Sequence, residues 1–383
     1  MRAKIEELLP EISEFRHRLH RIPEPAGAEV KTSALIRDEL ANLDLEVLPP
    51  FIGTDVVAIL RGSRPGRNVT LRADIDALAL EETTGAPYAS THPGMMHACG
   101  HDAHSAILMG AAKVLAAAGR DFAGSIRFVW QPGEENRAMA RELIAAGALN
   151  SPEPDLVAAL HLLPGLPVGT FGIREGAMMA SCTHFRVKFR GRSGHGSRPA
   201  AARNPIVAAA AAVGELNIAV TTRIDALRSP TLSVCAISGG KLDNVIPDEA
   251  EIRGTMRAID LETADELAAL LREVCCAVAR LHRVEVDVEL ERGYPPTVNN
   301  AAATPVARRA LEQIGAKWVE LPEPSLTAED FAWYLCRWPG VFLRLGSGED
   351  SPELHNCAFD APDAALAPGI AWLVAFARLG LDA

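Results

Sequence analysis

Four side chains able to bind a metal or move a proton, His97, Cys99, His101 and His104, fall within the single stretch "MMHACGHDAHSAILMGAA". In an extended segment alternate side chains share a face, so Cys99 and His101 can point into one site; His97 would turn away or stand behind a ligand. A thiolate and an imidazole suit a borderline divalent ion. Alone, C-x-H is a weak signal for a metal. Downstream, "FVWQPGEEN" brings Glu134 and Glu135 out of an apolar run through a Pro-Gly turn. Adjacent carboxylates repel unless a cation or a proton lies between them, and the plainer alternative is a solvated acidic loop. His161 closes another apolar run, "PDLVAALHL", and His355 stands in the polar loop "SPELHNCAFD". Cys, His, Glu, His and His at the ends of sheet elements together suit one or two transition-metal ions.

The elements that must position these residues follow from periodicity. "DVVAIL", "NVTLRADI", "SIRFVWQ" and "LVAALHL" read as strands, and "TSALIRDELANLDLEV" and "DAHSAILMGAAKVLAAAG" as helices, the latter with Asp102 as its N-cap and Gly119 as its stop. Such alternation predicts an α/β sheet flanked by helices. From about residue 183 the order becomes β-α-β-β-α-β, the ferredoxin-like unit, with Thr263 and Glu266 as a capping box on its second helix. After the linker "GYPPTVNN" the helix-and-strand rhythm returns. The expected fold is α/β: a discontinuous catalytic sheet domain over 1–182 and 294–383, with a ferredoxin-like lid or dimerisation domain over 183–293 inserted in it.

Composition narrows the function classes. The chain has 383 residues and a net charge of −11 with no long basic stripe, which disfavours nucleic acid as a partner. The first residues lack an apolar leader, and no later stretch carries ~18 uninterrupted apolar residues, so a soluble cytoplasmic protein with no membrane partner is expected. Seven cysteines without a C-x-x-C pair argue against a disulfide framework or zinc ribbon, and most are expected to be small core residues. The G-x-S-x-G elbow, H-E-x-x-H, the P-loop and the zinc deaminase signature are all absent.

The motifs "FRHRLHRIPE", "LRADIDALAL", "GMMHACGHDAHSAILMGAA", "WQPGEE", "ALHLLPGLPVGT", "GRSGHGSRP", "NVIPDEAEIRGTMR", "TAEDFAWYL" and "LHNCAFD" come in this order along nearly the whole chain. In them the sequence resembles the dinuclear metallo-amidohydrolases, which include N-acyl-amino-acid deacylases, hippurate hydrolases and auxin-conjugate hydrolases. The resemblance implies that Cys99, His101, Glu135, His161 and His355 hold two divalent ions, zinc or manganese with cobalt or nickel as alternatives, and that Cys99 is shared between them. It implies that Glu134 is the general base toward a metal-activated water. His195 would polarise the scissile carbonyl in a partner subunit's site, so the working unit would be a homodimer or a higher homo-oligomer. Asn244 and Arg257 would contact the substrate, a small N-acyl amino acid or similar amide. The products would be a carboxylic acid and a free amino acid.

Other residues carry plainer expectations. Asp76 would orient a ligand, and Asp74 would not ligate. His104, one helical turn after His101, would donate to Asp76 or Asp102. His17 and His20 read as surface or hydrogen-bonding residues, and His92, His184 and His282 show no partner. Asn136 and Arg137 stand where relatives carry glycines, which makes the loop beside Glu134 bulkier and more basic. The rival reading is a non-catalytic, dimeric small-molecule binder that kept the fold, and the presence of every matched ligand and of Glu134 weighs against it.

Overall fold

Residues Val56–Arg61, Ala123–Gln131, Leu156–Pro164 and Gly340–Gly348 are strands in which nearly every side chain is buried, the signature of a sheet covered on both faces. The computed structural model describes residues 1–383. Its main sheet has eight strands in the order Glu46–Val47, Val56–Arg61, Ala123–Gln131, Arg64–Asp74, Leu156–Pro164, Gly340–Gly348, Phe171–Ile173 and Trp318–Glu320. The four central strands run parallel. Val56–Arg61 and Phe171–Ile173 flank them antiparallel, so the chain is a mixed α/β protein. Parallel strands finish on the same side: Asp74 and Gln131 are register partners, and His161 is two strands from Gln131 at the same edge. Open sheets of this kind present ligand sites at that carboxyl edge.

The chain forms two units, one of Met1–Gly176, Val298–Glu323 and Asp330–Ala383, the other of Ala177–Thr297 and Pro324–Glu329. The second unit takes in Pro324–Glu329 because the carbonyls of Ser325 and Thr327 accept from the Ala180 N–H. Its sheet has the strand order Thr231–Gly239, Glu249–Arg257, Cys182–Arg190 and Glu285–Tyr294, antiparallel throughout. The helices Pro205–Arg223 and Leu261–His282 pack their apolar sides against this sheet. Burial along Glu285–Tyr294 alternates, as in a sheet with one covered face.

Several local expectations are corrected. The cap of Leu261–His282 is Asp260, whose carboxylate accepts from both the N–H and the hydroxyl of Thr263; Glu266 pairs instead with Arg228. Of the cysteines only Cys99, Cys182 and Cys275 are buried, because the other four lie on outer faces and loops. His92 and His184 have partners, in Pro23 and Cys182. Although no apolar run is uninterrupted, Pro205–Arg223 and Asp363–Leu381 are long and apolar enough on average to cross a membrane, and 61% of the apolar window of the second is buried inside the protein.

The helix His101–Ala117 is buried along most of its length, and its cap lies two residues earlier than expected, with His101 in its first turn and Gly100 at its N-cap. Gly100 has φ +81, and a Cβ there would come within 2.8 Å of Leu162, so the sharp turn between Cys99 and His101 needs glycine. Asp102 is therefore not the cap. Its side chain, fully buried, accepts from His20 Nδ1 at 2.9 Å and faces Arg16 Nε at 3.6 Å, both on the helix Arg2–His20. Of the two readings expected for it, His20 takes the hydrogen-bonding one: it is buried, and its other ring nitrogen lies 3.3 Å from Glu82.

This buried clamp ties the first helix to the one that carries His101. Burial disfavours the Asp102 carboxylate, but His20 and Arg16 outweigh it and hold the acid far below the usual carboxylate range. Burial likewise opposes charge on His20, and Asp102 and Glu82 outweigh it and raise its pKa. The Asp102 contribution is present above the unfolded carboxylate value of ~3.9 and is lost as pH falls toward the depressed folded value; the His20 contribution is present below ~6.5 and is lost as pH rises through the raised one. Urea denaturation of wild type should therefore lose stability steeply below about pH 4, whereas Asp102→Asn should start less stable and show a flatter acid limb.

Candidate metal centre

Three strand ends and one returning loop bring the candidate residues together. Asp74 ends Arg64–Asp74 and Asp76 follows it; Gln131 ends Ala123–Gln131 and leads through Pro132 and Gly133 to Glu134 and Glu135; His161 lies near the end of Leu156–Pro164. The loop carrying His355 crosses over them, with the His355 N–H donating to the Ala98 carbonyl at 2.8 Å. His355 sits at φ 64, a left-handed conformation that a residue with a Cβ adopts at a cost of order 1 kcal/mol or more and that clusters at functional sites.

Donor and acceptor chemistry fixes the protons on three histidines. His101 Nδ1 lies 2.9 Å from the Asp76 carbonyl and 3.1 Å from its carboxylate, both acceptors, so Nδ1 carries the proton and Nε2 is left over. The Leu162 N–H donates to His104 Nε2 at 2.9 Å, which leaves His104 Nδ1 as the donor to Asp74 at 2.7 Å. The Leu162 carbonyl accepts from His161 Nδ1 at 2.7 Å, which leaves His161 Nε2 facing the Cys99 sulfur at 3.4 Å. The two backbone polar groups of one residue, Leu162, thus set the tautomers of both histidines. His355 Nε2 stands 3.0 Å from Glu135 Oε1, close but misaligned, so that this oxygen has no hydrogen bond.

Two buried polar atoms, His101 Nε2 and Glu135 Oε1, consequently have no hydrogen-bond partner, and both belong to the compact cluster of Cys99, His101 and Glu135. Unpaired buried polar atoms are rare enough that these ask for a ligand, and thiol, imidazole and carboxylate are ligands for a divalent cation. The residues fit such a group. The electrostatics agree: burial pushes the Cys99 thiol up, while His101, against its own burial, is held well above the usual histidine range by Asp74 and Cys99. Cys99 and Glu135 push His355 up to about 10, and burial with His104 and Arg344 nearby drives His161 well below its usual value. A pocket that so favours protons on His101 and His355 also favours a cation in their place.

Asp74, His101, His104 and His161 also crowd together, but both oxygens of the one carboxylate in this second group are already taken. Asp74 takes Arg72 at 2.7 Å and His104 at 2.7 Å, and its distance to His101 Nε2 is 3.8 Å. His104 thus donates to Asp74 rather than to Asp76 or Asp102: the first has turned to His101 and Glu135, the second to His20. Asp76 orients His101 and, through its other oxygen, accepts the Glu135 N–H at 2.8 Å. His97 is buried without a partner on either ring nitrogen.

Sequence reasoning missed three supporting residues. Glu29 is fully buried and accepts the N–H groups of Gly27 and Gly133, which hold the turn before Glu134; Gly133 itself has φ +65, and a Cβ there would strike Met139. Arg72 and Asp330 pair at 2.7 Å beneath the same turn. A buried arginine amid the apolar strand "NVTLRADI" and the acidic pair in "TAEDF" were the available signals. The exposed part of the turn is strained, with Asn136 at φ 62 and Ala138 at φ 51, where Arg137 reaches the Ala26 carbonyl.

His195, Asn244 and Arg257 lie in the second unit. Gly194–His195 pairs with Val245–Ile246, and the Gly196 N–H donates to the Asn244 carbonyl at 2.8 Å, so His195 and Asn244 are neighbours. His195 is exposed, and its Nδ1 accepts from the Ser197 N–H at 3.1 Å and stands 2.8 Å from the Ser197 hydroxyl, which leaves Nε2 to carry the proton outward. Arg257 ends its strand on a recess of about 710 Å³ that Arg186 and Arg253 also line.

Comparison with known proteins matches residues 70–379 to peptidase family M20/M25/M40. The chain belongs to this family. Among its M20 relatives, N-acetyl-L-cysteine deacetylase of Bacillus subtilis strain 168 is 36% identical over 368 residues, 96% of this chain and 88% of that protein. N-acetyldiaminopimelate deacetylase of Limosilactobacillus fermentum is 32% identical over 372 residues, 96% of each chain. The crystal structure of the Bacillus subtilis YXEP protein, a dinuclear metal binding peptidase from the M20 family, superposes with a TM-score of 0.88 at 31% identity, covering 98% of this chain and 99% of that one. The M20 chain described here is a metal-dependent amidohydrolase. Its Asp74 should prove structural: Asp74→Leu removes one of the two carboxylates around a buried guanidinium, and guanidinium chloride unfolding should register a loss of about 3 kcal/mol.

Proposed function

We propose that this enzyme hydrolyses the amide bond of N-acyl amino acids, with Cys99, His101, Glu135, His161 and His355 as the ligands of two divalent cations and Cys99 shared between them. The observation that carries the reading is the convergence, at the carboxyl edge of the sheet, of His101 Nε2, which has no hydrogen-bond partner, of Glu135 Oε1, which meets only the ring of His355, and of the Cys99 thiol facing His161 Nε2. The deacetylase names of relatives aligned over 96% of this chain support the substrate class. Zinc and manganese both suit one thiolate among nitrogen and oxygen donors, with cobalt or nickel as further candidates. When bound, such a pair supplies the positive charge that lets water ionise near neutral pH and polarises the scissile carbonyl.

The chain's own residues account for the proton traffic. Glu134, beside the ligand Glu135 and 7% exposed, takes a proton from the attacking water on a carboxylate oxygen as the water oxygen bonds to the carbonyl carbon. When the C–N bond breaks, the same proton passes to the departing nitrogen, so the base ends as it began. His195, its proton kept on Nε2 by Ser197, donates to the carbonyl oxygen as negative charge grows there. Asn244 beside it would bind the acyl end of the substrate and Arg257 its carboxylate end; Arg257 lines its recess with Arg186 and Arg253 as well as Glu289 and Glu291.

The second unit, with its β-α-β-β-α-β order and two helices on one face, is read as a ferredoxin-like lid and dimerisation domain over 183–293. Thr231–Gly239 is an edge strand, and Val207, Ile218 and Ile237, on it and the adjoining helix, are exposed apolar residues that a second copy of the chain would cover. The working form is then a homodimer in which His195 serves the partner's site.

Two measurements test these readings. Glu134→Gln, assayed on a panel of N-acetyl, N-benzoyl and indole-acetyl amino acids, should lose turnover by about 10²–10⁴-fold while elemental analysis still finds two ions per chain; full activity in this variant sinks the base assignment. Inactive Glu134→Gln and inactive His195→Ala chains, unfolded and refolded together, should regain part of the wild-type rate, since each mixed dimer has one site with both groups. No recovery in demonstrably mixed dimers rules out service in trans.

A further inference from the structure

We propose that Asp330 is a positioning residue for Glu134: a buried clasp that closes the two ends of the loop bearing the acid pair and sets where the Glu134 carboxylate stands. The proposal rests on the reading of Glu134 as the base and goes beyond it.

The loop leaves the sheet at Gln131 and enters the helix Met139–Ala145. Asp330, with no exposed surface, binds both ends: its Oδ2 accepts from Gln131 Nε2 at 2.7 Å and from the Ala140 N–H at 3.0 Å. Its Oδ1 accepts from Arg72 Nη2 at 2.7 Å and from Gln131 Nε2 at 2.9 Å. Its own N–H points at Glu134 Oε1, 3.4 Å away. Arg72 completes the ring, with Nε donating to Gln131 Oε1 at 3.0 Å and Nη1 to Asp74.

Adjacent acids therefore have different anchors. Glu135 is tied through its N–H to Asp76, the residue that orients His101, whereas Glu134 is tied through its side chain to Asp330. Asp330 could itself be suspected as a cation ligand, since it lies near Glu134. Both of its oxygens are already committed to N–H donors, so a cation there would have to break the ring. Disturbing Asp330 should then move the base and spare the metal ligands. Small misplacements of a reacting group are costly, with an error of about 1 Å able to remove a factor near 10² in rate.

The test is Asp330→Asn, which keeps the shape but must aim an NH2 group at one of the donors that Asp330 now satisfies. Expected are a fall in kcat of about 10- to 100-fold, KM within about twofold, two ions per chain as in wild type, and a crystal structure in which the Glu134 carboxylate has moved while Glu135 has not. The double variant Gln131→Glu/Asp330→Asn, which restores the buried charge and an acceptor for the new amide, should recover part of kcat. If Asp330→Asn does not fold, Gln131→Met, which cuts the clasp but leaves the Arg72 pair, takes over the same measurements with a smaller expected loss. An unmoved Glu134 carboxylate, an unchanged kcat, or a kcat loss matched by metal loss overturns the clasp. Should Glu134→Gln prove fully active, the base reading fails instead, and the displaced side chain in the crystal still decides whether Asp330 positions it.

Discussion

The Arg72 guanidinium is buried, and the carboxyl edge of the sheet is arranged around satisfying it. Set in the buried half of its strand, it donates to Asp74, Gln131 and Asp330, which belong to two neighbouring strands and a remote segment. A buried charge with partial pairing would cost several kcal/mol, so its three partners are held to one geometry, and the side chains they touch inherit that order. Through Asp74 the constraint reaches His104, and through His104 the Leu162 peptide that sets His161. Through Asp330 it reaches Glu134.

Such order matters because a catalytic site gains most when its dipoles and charges are in place before the reaction. Here the unprotonated nitrogen of His161 and the proton-bearing nitrogen of His195 are each dictated by a backbone group, the Leu162 carbonyl and the Ser197 N–H. Neither depends on a mobile side chain for its tautomer. Asp76 plays a comparable part for two candidate ligands at once, holding His101 by its ring and Glu135 by its backbone.

Much of this was legible in the sequence. Most strands and helices of both units stand close to where periodicity sets them, because fully apolar runs and alternating runs report burial directly; the helix expected over 32–47 instead stops at Leu40, and Glu46–Val47 is an edge strand. The clustering of Cys99, His101, Glu135, His161 and His355 was legible only through motif order, since spacing alone left C-x-H open to a core reading. What escaped was pairing at a distance. Nothing local tells that Asp102 will turn to His20 rather than cap its helix, that His104 will choose Asp74, or that Asp330 will reach the loop after Gln131. Those choices follow from which buried donors are left unsatisfied once the sheet has formed, and that is a property of the assembled core.

The tethering of the Glu134 loop at its two roots has an evolutionary corollary. Asn136, Arg137 and Ala138 form a short exposed span whose ends are moored independently of its middle. Its residues can be exchanged, and the left-handed backbone at positions 136 and 138 even relaxed by glycine, without loosening the moorings. Point changes can thus accumulate in this span while the acid pair beside it keeps its place.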